Sequence, residues 1–360
     1  MDALKEIFNR NYYKHLANLF KAAEPEFKAD KFLIQVTQGL DQLSLNQRLR
    51  NTSVVLKDHL PADFSKAILI MYKVIPHARG GYANLIFPDF VGLYGHKHFK
   101  LAMQALKHFT VFGSSEFAIR EFLKRDFDKT YAVMCEWAKD KDVHVRRLAS
   151  EGSRPRLPWS FKLDAVVNDP TKTKHILDLL KTDEALYVKK SVANHLNDIS
   201  KQHPDYMVSL VKGWESNNPH TAWIVKHASR TLIKKGHSDA LAVFGFEKNP
   251  KIKIQNFRII KNKIKLGESL HFEFDLISDK KSNQKLVIDY IIHYRKKLGD
   301  LSPKVFKLKE LNLGSAEKTN ITKKQVIKDF STRKHFAGDH VLEIQINGTI
   351  LHKESFKVII

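Results

Sequence analysis

The chain of 360 residues has almost no cysteine and no long apolar run. Its one cysteine, Cys135, has no second cysteine to pair with, which excludes disulfide frameworks and cysteine-based metal sites. The opening segment MDALKEIFNRNYYKHL carries acidic residues early and no uninterrupted apolar stretch, so it is typical neither of a signal peptide nor of a membrane span. We therefore expect a soluble protein of the reducing cytoplasm.

Common signatures of metal and phosphate sites are also missing. The 18 histidines show no H-E-x-x-H spacing, and no glycine-rich phosphate-binding loop occurs, so the sequence predicts no metal and no cofactor. Acidic residues are the minority charge: 61 Lys and Arg stand against 39 Asp and Glu, a formal net charge of +22. Such an excess attracts polyanions, which makes nucleic acid, an anionic membrane surface or acidic proteins the candidate partners.

Residues 1 to about 245 have the period of amphipathic helices. Apolar residues recur at the third or fourth position, as Leu16, Phe20 and Ala23 do. Proline precedes three of the later helical patterns, where it suits a first helical turn: Pro170, Pro204 and Pro219.

A degenerate repeat runs through this helical region. Three segments of one valine and two basic residues, 145–147, 188–190 and 225–227, each open a predicted helix and lie 43 and 37 residues apart. These spacings bracket the period of HEAT-type helix pairs, which stack so that corresponding helices line one concave face. The basic residues would then form a positive stripe in a groove; solvated helix faces are the alternative.

From about residue 248 the period changes to two. Leu270, Phe272, Phe274 and Leu276 alternate with polar residues, and the same alternation recurs at 288–294 and 342–346. Asn347-Gly348 is a strong hairpin turn. Several such strands in about 110 residues predict an immunoglobulin-like sandwich.

We therefore predict two domains, an all-α HEAT-like helical-repeat solenoid at 1–246 and an all-β immunoglobulin-like sandwich at 251–360. Residues 251–360 contain 23 Lys and Arg against 12 Asp and Glu, a net +11. A sandwich does not need this charge to fold, so we expect it to be a second contact surface for the same polyanion, with the basic loops at 295–297, 323–324 and 333–334 as contacts. A covered partner site on the helical domain is the alternative.

The densest group of candidate functional residues is the segment RRLASEGSRPRLPW at 146–159. Asp142 suits a helix start and Gly152 a helix stop, so Glu151 is expected at a helix C-terminus, where the macrodipole disfavours an anion. A surface ion pair with Arg147 would contribute only about 0.2–0.5 kcal/mol. A carboxylate in this place is a candidate for function, and the Arg147 salt bridge is the structural alternative.

Trp159 follows two prolines in this segment, so it is expected to begin the next helix. Beside Arg154 and Arg156 its ring could stack on a base or hold a cation over its face. A tryptophan wedged between successive repeats is the alternative.

Two further acids are candidates. Glu116 follows two serines and is expected in the first turn of a helix, where the dipole alone favours an acidic residue. Asp198 lies four residues after Asn194 on one helical face and could equally pair with Lys201.

Four segments are similar in order and spacing to one protein family: GSSEFAIREF (113–122), RRLASEGSRPRLPW (146–159), LYVKKSVANHLNDISKQHPD (186–205) and AWIVKHASRTLIKKG (222–236). They resemble the AlkC branch of the HEAT-like-repeat alkylbase DNA glycosylases, and the sandwich resembles the immunoglobulin-like domain of a subgroup. Where the family commonly has arginine, this sequence has Lys189, Lys190 and Lys226, which keep the charge and lose bidentate phosphate geometry.

This resemblance implies a monomeric DNA repair enzyme of the bacterial cytoplasm or nucleoid, acting on double-stranded DNA that contains alkylated bases. It would hydrolyse the N-glycosidic bond of cationic bases such as 3-methyladenine and 3-methylcytosine in base excision repair. Carboxylates would stabilise an oxocarbenium-like transition state and orient water, without base flipping.

Residue roles follow from the same resemblance. Glu116, Glu151 and Asp198 would be the catalytic carboxylates, and Trp159 would contact the lesion. DNA binding would fall to Arg147, Arg154, Arg156, Lys189, Lys190, Lys226 and Arg230.

The main alternative is a non-catalytic HEAT scaffold that holds DNA or another acidic partner, which is what most such solenoids do. Three carboxylates and a tryptophan together argue against it, because DNA binding requires cations. A membrane-surface adaptor fits less well, since no segment pairs a basic face with an exposed aromatic one, so we expect no membrane partner.

Overall fold

Helices give way to strands between Val243 and Ile252, where the sequence period changes from helical to two. The computed structural model describes residues 4–214, 217–330 and 333–360. Within these ranges the α-helices are α1 (Arg10–Ala23), α2 (Ala29–Thr37), α3 (Leu45–His59), α4 (Phe64–Val74), α5 (Ile86–Tyr94), α6 (Phe99–Phe109), α7 (Ala118–Arg125), α8 (Phe127–Trp137), α9 (Val143–Gly152), α10 (Asp164–Asn168), α11 (Lys174–Leu180), α12 (Leu186–Ile199), α13 (Pro204–Lys212), α14 (Pro219–Ala228), α15 (Arg230–Lys234) and α16 (Ser238–Val243).

Aspartates fix the starts of several helices. The side chains of Asp63, Asp126 and Asp142 accept hydrogen bonds from main-chain N–H groups at the beginnings of α4, α8 and α9. Asp142 accepts from the N–H of His144 over 2.7 Å. These bonds satisfy donors that a helix N-terminus otherwise leaves unpaired. The predicted start of α9 at Asp142 is confirmed.

The basic repeat segments lie on helices that pack side by side. α12 packs against both α9 and α14. Segments 145–147 and 188–190 open α9 and α12 as predicted. The third segment, 225–227, does not open a helix: it lies in the second half of α14, because Pro219 already begins that helix.

Two compact units make up the chain. One contains Met1–His203 and Trp214–Ala228; the other contains Pro204–Gly213 and Ser229–Ile360. The last helices therefore belong with the strands. Leu241 and Phe246 pack against Val287 of a strand in a small apolar cluster of this second unit.

Eight strands in the described ranges form two sheets of the second unit: β1 (Ile252–Ile259), β2 (Lys263–Lys265), β3 (Ser269–Ser278), β4 (Gln284–Arg295), β5 (Leu301–Leu313), β6 (Lys318–Val326), β7 (Gly338–Ile346) and β8 (Thr349–Ile359). The three-stranded sheet has the order β1-β3-β6, and the five-stranded sheet has the order β2-β8-β7-β4-β5. All pairs are antiparallel except β2 and β8. Alternating side chains of both sheets form one apolar core, as the predicted period of two requires.

Turn chemistry sets the β7–β8 hairpin. Asn347 and Gly348 both have positive φ, 47° and 80°, which is the backbone that the predicted Asn-Gly turn needs. One expected loop is wrong: Lys323 and Lys324 lie inside β6, because Ile321 is buried and the alternation continues through them.

No helix in the described ranges is both long and apolar enough to cross a membrane.

Candidate active site

A cavity of about 410 Å³ lies in the helical unit and is lined by side chains from four separate segments. Charged and aromatic groups share its wall. Its lining includes Tyr82, Glu116, Arg147, Glu151, Trp159 and Tyr187. The cavity thus collects four of the residues singled out in the sequence and adds two tyrosines.

Arg147 and Arg154 join three carboxylates into one line of ion pairs. The Arg147 guanidinium contacts the Glu116 carboxylate and lies 3.5 Å from that of Glu151. Arg154 donates to Oε1 of Glu151 over 2.6 Å and to Oδ2 of Asp198 over 2.8 Å. Charges alternate along the line, and each guanidinium bridges two acids. We call Glu116, Arg147, Glu151, Arg154 and Asp198 the carboxylate line.

Most of the carboxylate line is buried. The side chains of Glu151 and Arg154 are each 8 % exposed, and that of Asp198 is 3 % exposed. Burial strengthens charge interactions and makes an unpaired charge costly; removing one partner of a buried pair typically costs about 3–5 kcal/mol. The Arg147–Glu151 contact, which was the structural alternative from the sequence, is therefore present, within a largely buried network and not as an isolated surface pair.

Gly152 explains how α9 brings Glu151 to the cavity. Gly152 is the last residue of α9, not the stop beyond it as predicted. A Cβ at this position would lie 2.5 Å from Cγ2 of Ile119 in α7. The glycine is needed for this close approach, which holds the last turn of α9 against α7.

Trp159 does not begin a helix as predicted. It lies in a turn with a φ of 64°, and the next helix, α10, begins at Asp164. The residue is 68 % exposed, and its ring meets the ring of Tyr82 edge-on, with the centroids 6.1 Å apart. An exposed ring beside a cavity is available to a ligand. The alternative, a tryptophan packed between successive repeats, is therefore wrong.

Comparison with known proteins places these features in a family. Residues 100–232 match a family model described as "DNA alkylation repair enzyme", and residues 253–360 match one described as "Uncharacterised protein YhaZ, C-terminal Ig-like domain". The chain is 41 % identical over 359 residues to the uncharacterized protein YhaZ of Bacillus subtilis, covering 99 % of this chain and 100 % of that protein.

A solved structure matches over the full length. It is the Pseudomonas fluorescens alkylpurine DNA glycosylase AlkC bound to DNA containing an abasic site analog, with 46 % identity, a TM-score of 0.96 and 100 % of both chains covered. The chain belongs to the AlkC family of DNA glycosylases. The predicted fold, a helical-repeat region followed by an immunoglobulin-like domain, is confirmed.

In this AlkC family member, Glu116 precedes α7 and is not in its first turn as predicted, since α7 begins at Ala118. Its carboxylate accepts a hydrogen bond of 2.9 Å from the Ser114 hydroxyl and contacts Arg147. It makes no side-chain cap for α7. Its direct interaction is instead the pairing with Arg147 at the cavity wall.

Asp198 lies on α12 and reaches the carboxylate line through Arg154. Its second oxygen accepts a hydrogen bond of 2.8 Å from Lys201, the partner considered from the sequence. Asp198 is not among the cavity-lining residues in the described part of the chain.

The predicted DNA-binding residues are spread more widely. Arg147 and Arg154 pair with carboxylates, so their role in holding phosphates stays a prediction. The other five are half-buried or exposed and their DNA contacts also stay predictions: Arg156, Lys189, Lys190, Lys226 and Arg230.

Three residues at the site were missed in the sequence. The Tyr187 ring lies 4.9 Å from the Arg147 guanidinium, and Tyr82 supports Trp159. Burial, with the Glu116 carboxylate, raises the pKa of Tyr82. Tyr187 lies in the 186–205 segment, and an aromatic residue just before Lys189 and Lys190 is a sequence signal for a binding site. The third residue, Arg120, lies within the ordinary helical pattern of α7, and nothing in that pattern distinguishes it from a surface arginine.

His195 of α12 is hydrogen-bonded to the main chain of α9. Its Nδ1 donates to the carbonyl of Ser150 over 3.0 Å, and its Nε2 lies 3.1 Å from the Thr173 hydroxyl. Complete burial lowers the pKa of His195 to about 3, so it is neutral at neutral pH. This histidine packs behind the carboxylate line without adding charge to it.

Proposed function

We propose that this enzyme hydrolyses the N-glycosidic bond of cationic alkylated bases in duplex DNA, with 3-methyladenine and 3-methylcytosine as substrates. The observation that carries the proposal is the carboxylate line, whose Glu116 and Glu151 face an aromatic cavity. DNA binding alone requires cations. Two buried acids, Glu151 and Asp198, together with the partly buried Glu116 and their arginines, are a costly arrangement that a scaffold does not need.

The chemistry suits bases that already carry a positive charge. Such a base leaves as a neutral molecule and needs little help from a general acid. The remaining barrier lies in the oxocarbenium-like deoxyribose and the attacking water. Glu116 and Glu151 at the cavity wall would stabilise the developing cation and orient the water.

The arginines would hold these acids in place. Arg147 bridges Glu116 and Glu151, and Arg154 bridges Glu151 and Asp198. Asp198 would act through Arg154, as a positioning residue. Fixed charges of this kind need no reorganisation as the transition state forms.

Trp159 would lie against the damaged nucleotide. Its exposed ring favours a cationic base or sugar over its face. Because this ring stands at the cavity rim, it can meet a nucleotide that stays in the duplex, which supports excision without base flipping.

DNA binding would use basic residues of both units. In the helical unit these are Arg156, Lys189, Lys190 and Lys226; Arg230 belongs to the second unit. The sandwich at 251–360, with its net +11, would be a second contact surface for the same DNA.

The direct test is base release from methylated duplex DNA in the presence of EDTA. We expect free 3-methyladenine and 3-methylcytosine, identified by mass, and an abasic strand that breaks on heating in alkali. Binding of the same duplex is measured in parallel. Intact binding with no release at any protein concentration would leave the scaffold alternative standing.

A further inference from the structure

Arg120 on α7 is completely buried, and its partners are main-chain carbonyls. Its NH1 donates to the carbonyls of Gly152 over 3.0 Å and Arg154 over 2.6 Å, and its NH2 donates to the carbonyl of Phe161. The Phe161 ring centroid lies 5.3 Å from the guanidinium. Its Nε has no hydrogen-bond partner in the described ranges.

Burying the Arg120 charge costs free energy, and a side chain that only cross-links loop carbonyls would not need to be charged. Neutral donors can satisfy carbonyls, whereas a guanidinium must be stripped of water. Burial, followed by repulsion from Arg154, lowers the pKa of Arg120 to about 10, and it remains a cation at neutral pH. The acids that favour this charge are Glu116, Glu151 and Asp198.

The three carbonyls bracket the segment that carries Trp159. Gly152 and Arg154 stand at its beginning and Phe161 at its end, so one rigid fork holds both ends of residues 152–161. Arg120 itself is on the helix that follows Glu116. It therefore connects the element bearing one acid with the segment bearing Arg154 and Trp159.

We propose that Arg120 is a positioning residue for excision: it fixes the 152–161 segment so that Trp159 keeps its place at the cavity and Arg154 its place in the carboxylate line. This inference rests on the proposed function. A misplacement of about 1 Å at a reacting site can cost on the order of a hundredfold in rate. The effect of Arg120 should thus appear in the rate of the bound complex, and not in DNA affinity.

The test compares Arg120→Lys with Arg48→Lys. Arg48 is a matched control: it is 1 % exposed, lies in the same unit, and donates to the carbonyls of Leu43, Lys5 and Phe8. Lysine keeps the charge and removes the fork at both positions. Each full-length variant is assayed below its melting temperature for single-turnover release of 3-methyladenine and for DNA affinity.

We expect Arg120→Lys to slow release by roughly 10- to 100-fold at saturating enzyme, with affinity within about threefold. Arg48→Lys should release the base at close to the wild-type rate. Equal rate losses in the two variants would show a general stability effect and overturn the proposal, as would a wild-type rate in Arg120→Lys.

A spectroscopic measurement keeps this test separate from the proposed function. The chain has four tryptophans, and incorporation of 5-fluorotryptophan gives each a ¹⁹F resonance; that of Trp159 is the one that disappears in Trp159→Phe. It should shift or broaden in Arg120→Lys and stay unchanged in Arg48→Lys. An unchanged Trp159 signal in Arg120→Lys contradicts the proposal even where the wild type releases no base.

Phe161→Leu provides a milder variant should Arg120→Lys fail to fold. It removes the ring beneath the guanidinium and keeps the carbonyl, so the same Trp159 shift should accompany a rate loss of about threefold. No shift and no loss in this variant would count against the proposal.

Discussion

The two units handle charge in opposite ways. The helical unit buries Arg120, Glu151, Arg154 and Asp198, and Glu151 among them lines an aromatic cavity. The sandwich fills its core with apolar and tyrosine side chains and carries most of its net +11 on strand faces and turns. Burying paired charges costs free energy of folding and is typical of sites that carry out chemistry. Exposed charges of one sign attract a polyanion. We therefore propose that the helical unit sets the rate of excision and that the sandwich adds DNA affinity to that of the helical unit.

The largest expected effect comes from Glu151. Glu151→Gln keeps the shape and removes the charge between Arg147 and Arg154. Removing one electrostatic stabiliser typically costs on the order of a hundredfold or more in rate. We expect at least that loss in single-turnover release of 3-methyladenine, with DNA affinity changed by no more than about threefold. A glutamine variant with a near wild-type rate would assign Glu151 to structure alone.

Asp289 of β4 sharpens the comparison, because it is a buried acid in the unit without the cavity. One of its oxygens has no hydrogen-bond partner in the described ranges. Burial raises the pKa of Asp289 to about 6, while Lys234 and Lys307 act to lower it and Glu310 to raise it. From about pH 4 to pH 6 the folded state binds more protons than the unfolded one, so the free energy of unfolding falls as the pH rises.

Above pH 6 this penalty is complete and is on the order of 3 kcal/mol. Asp289→Asn should therefore raise the melting temperature of the second unit at pH 8, with little change at pH 4, and leave base release unaltered. Calorimetry at both pH values checks this. An Asn variant that melts lower at pH 8 would mean that the Asp289 carboxylate stabilises the sandwich.

The smallest effect is expected from two cations of the sandwich, Lys304, which is exposed, and Arg333, which is half-buried. Burial lowers the pKa of Lys304, and the positive charges of Arg333 and Lys234 nearby lower it further. Lysines that already pair with acids are the matched control, since Lys253 lies 2.8 Å from Asp279 and Lys261 lies 2.8 Å from Glu268. Both double variants to glutamine remove the same charge.

Lys304→Gln/Arg333→Gln should weaken DNA binding and reduce its salt dependence by about 0.9 for each phosphate that the variant no longer neutralises, with release at saturating protein unchanged. The control pair, Lys253→Gln/Lys261→Gln, should change the salt slope less. Identical slopes for the two double variants would mean that the sandwich contributes only its net charge.

Local sequence patterns predicted the helices, strands and Asn347-Gly348 turn, because period, proline and turn chemistry act over a few residues. Long-range packing decided what they missed. Gly152 has the sequence pattern of a helix stop, but its role is to allow the close approach of Ile119 in α7. Trp159 was misplaced because no local sequence pattern indicates a tryptophan at positive φ. The candidate acids were found, but their joining by Arg147 and Arg154 depends on three helices meeting.

The most direct test measures rate and affinity for two variants on one alkylated duplex. For Glu151→Gln and Lys304→Gln/Arg333→Gln, single-turnover release at saturating protein and the Kd for DNA are determined in the same buffer. We predict a crossed result: the first variant loses rate and keeps affinity, and the second loses affinity and keeps rate. Parallel losses in both quantities for both variants would contradict the proposal that the helical unit sets the rate and the sandwich adds affinity.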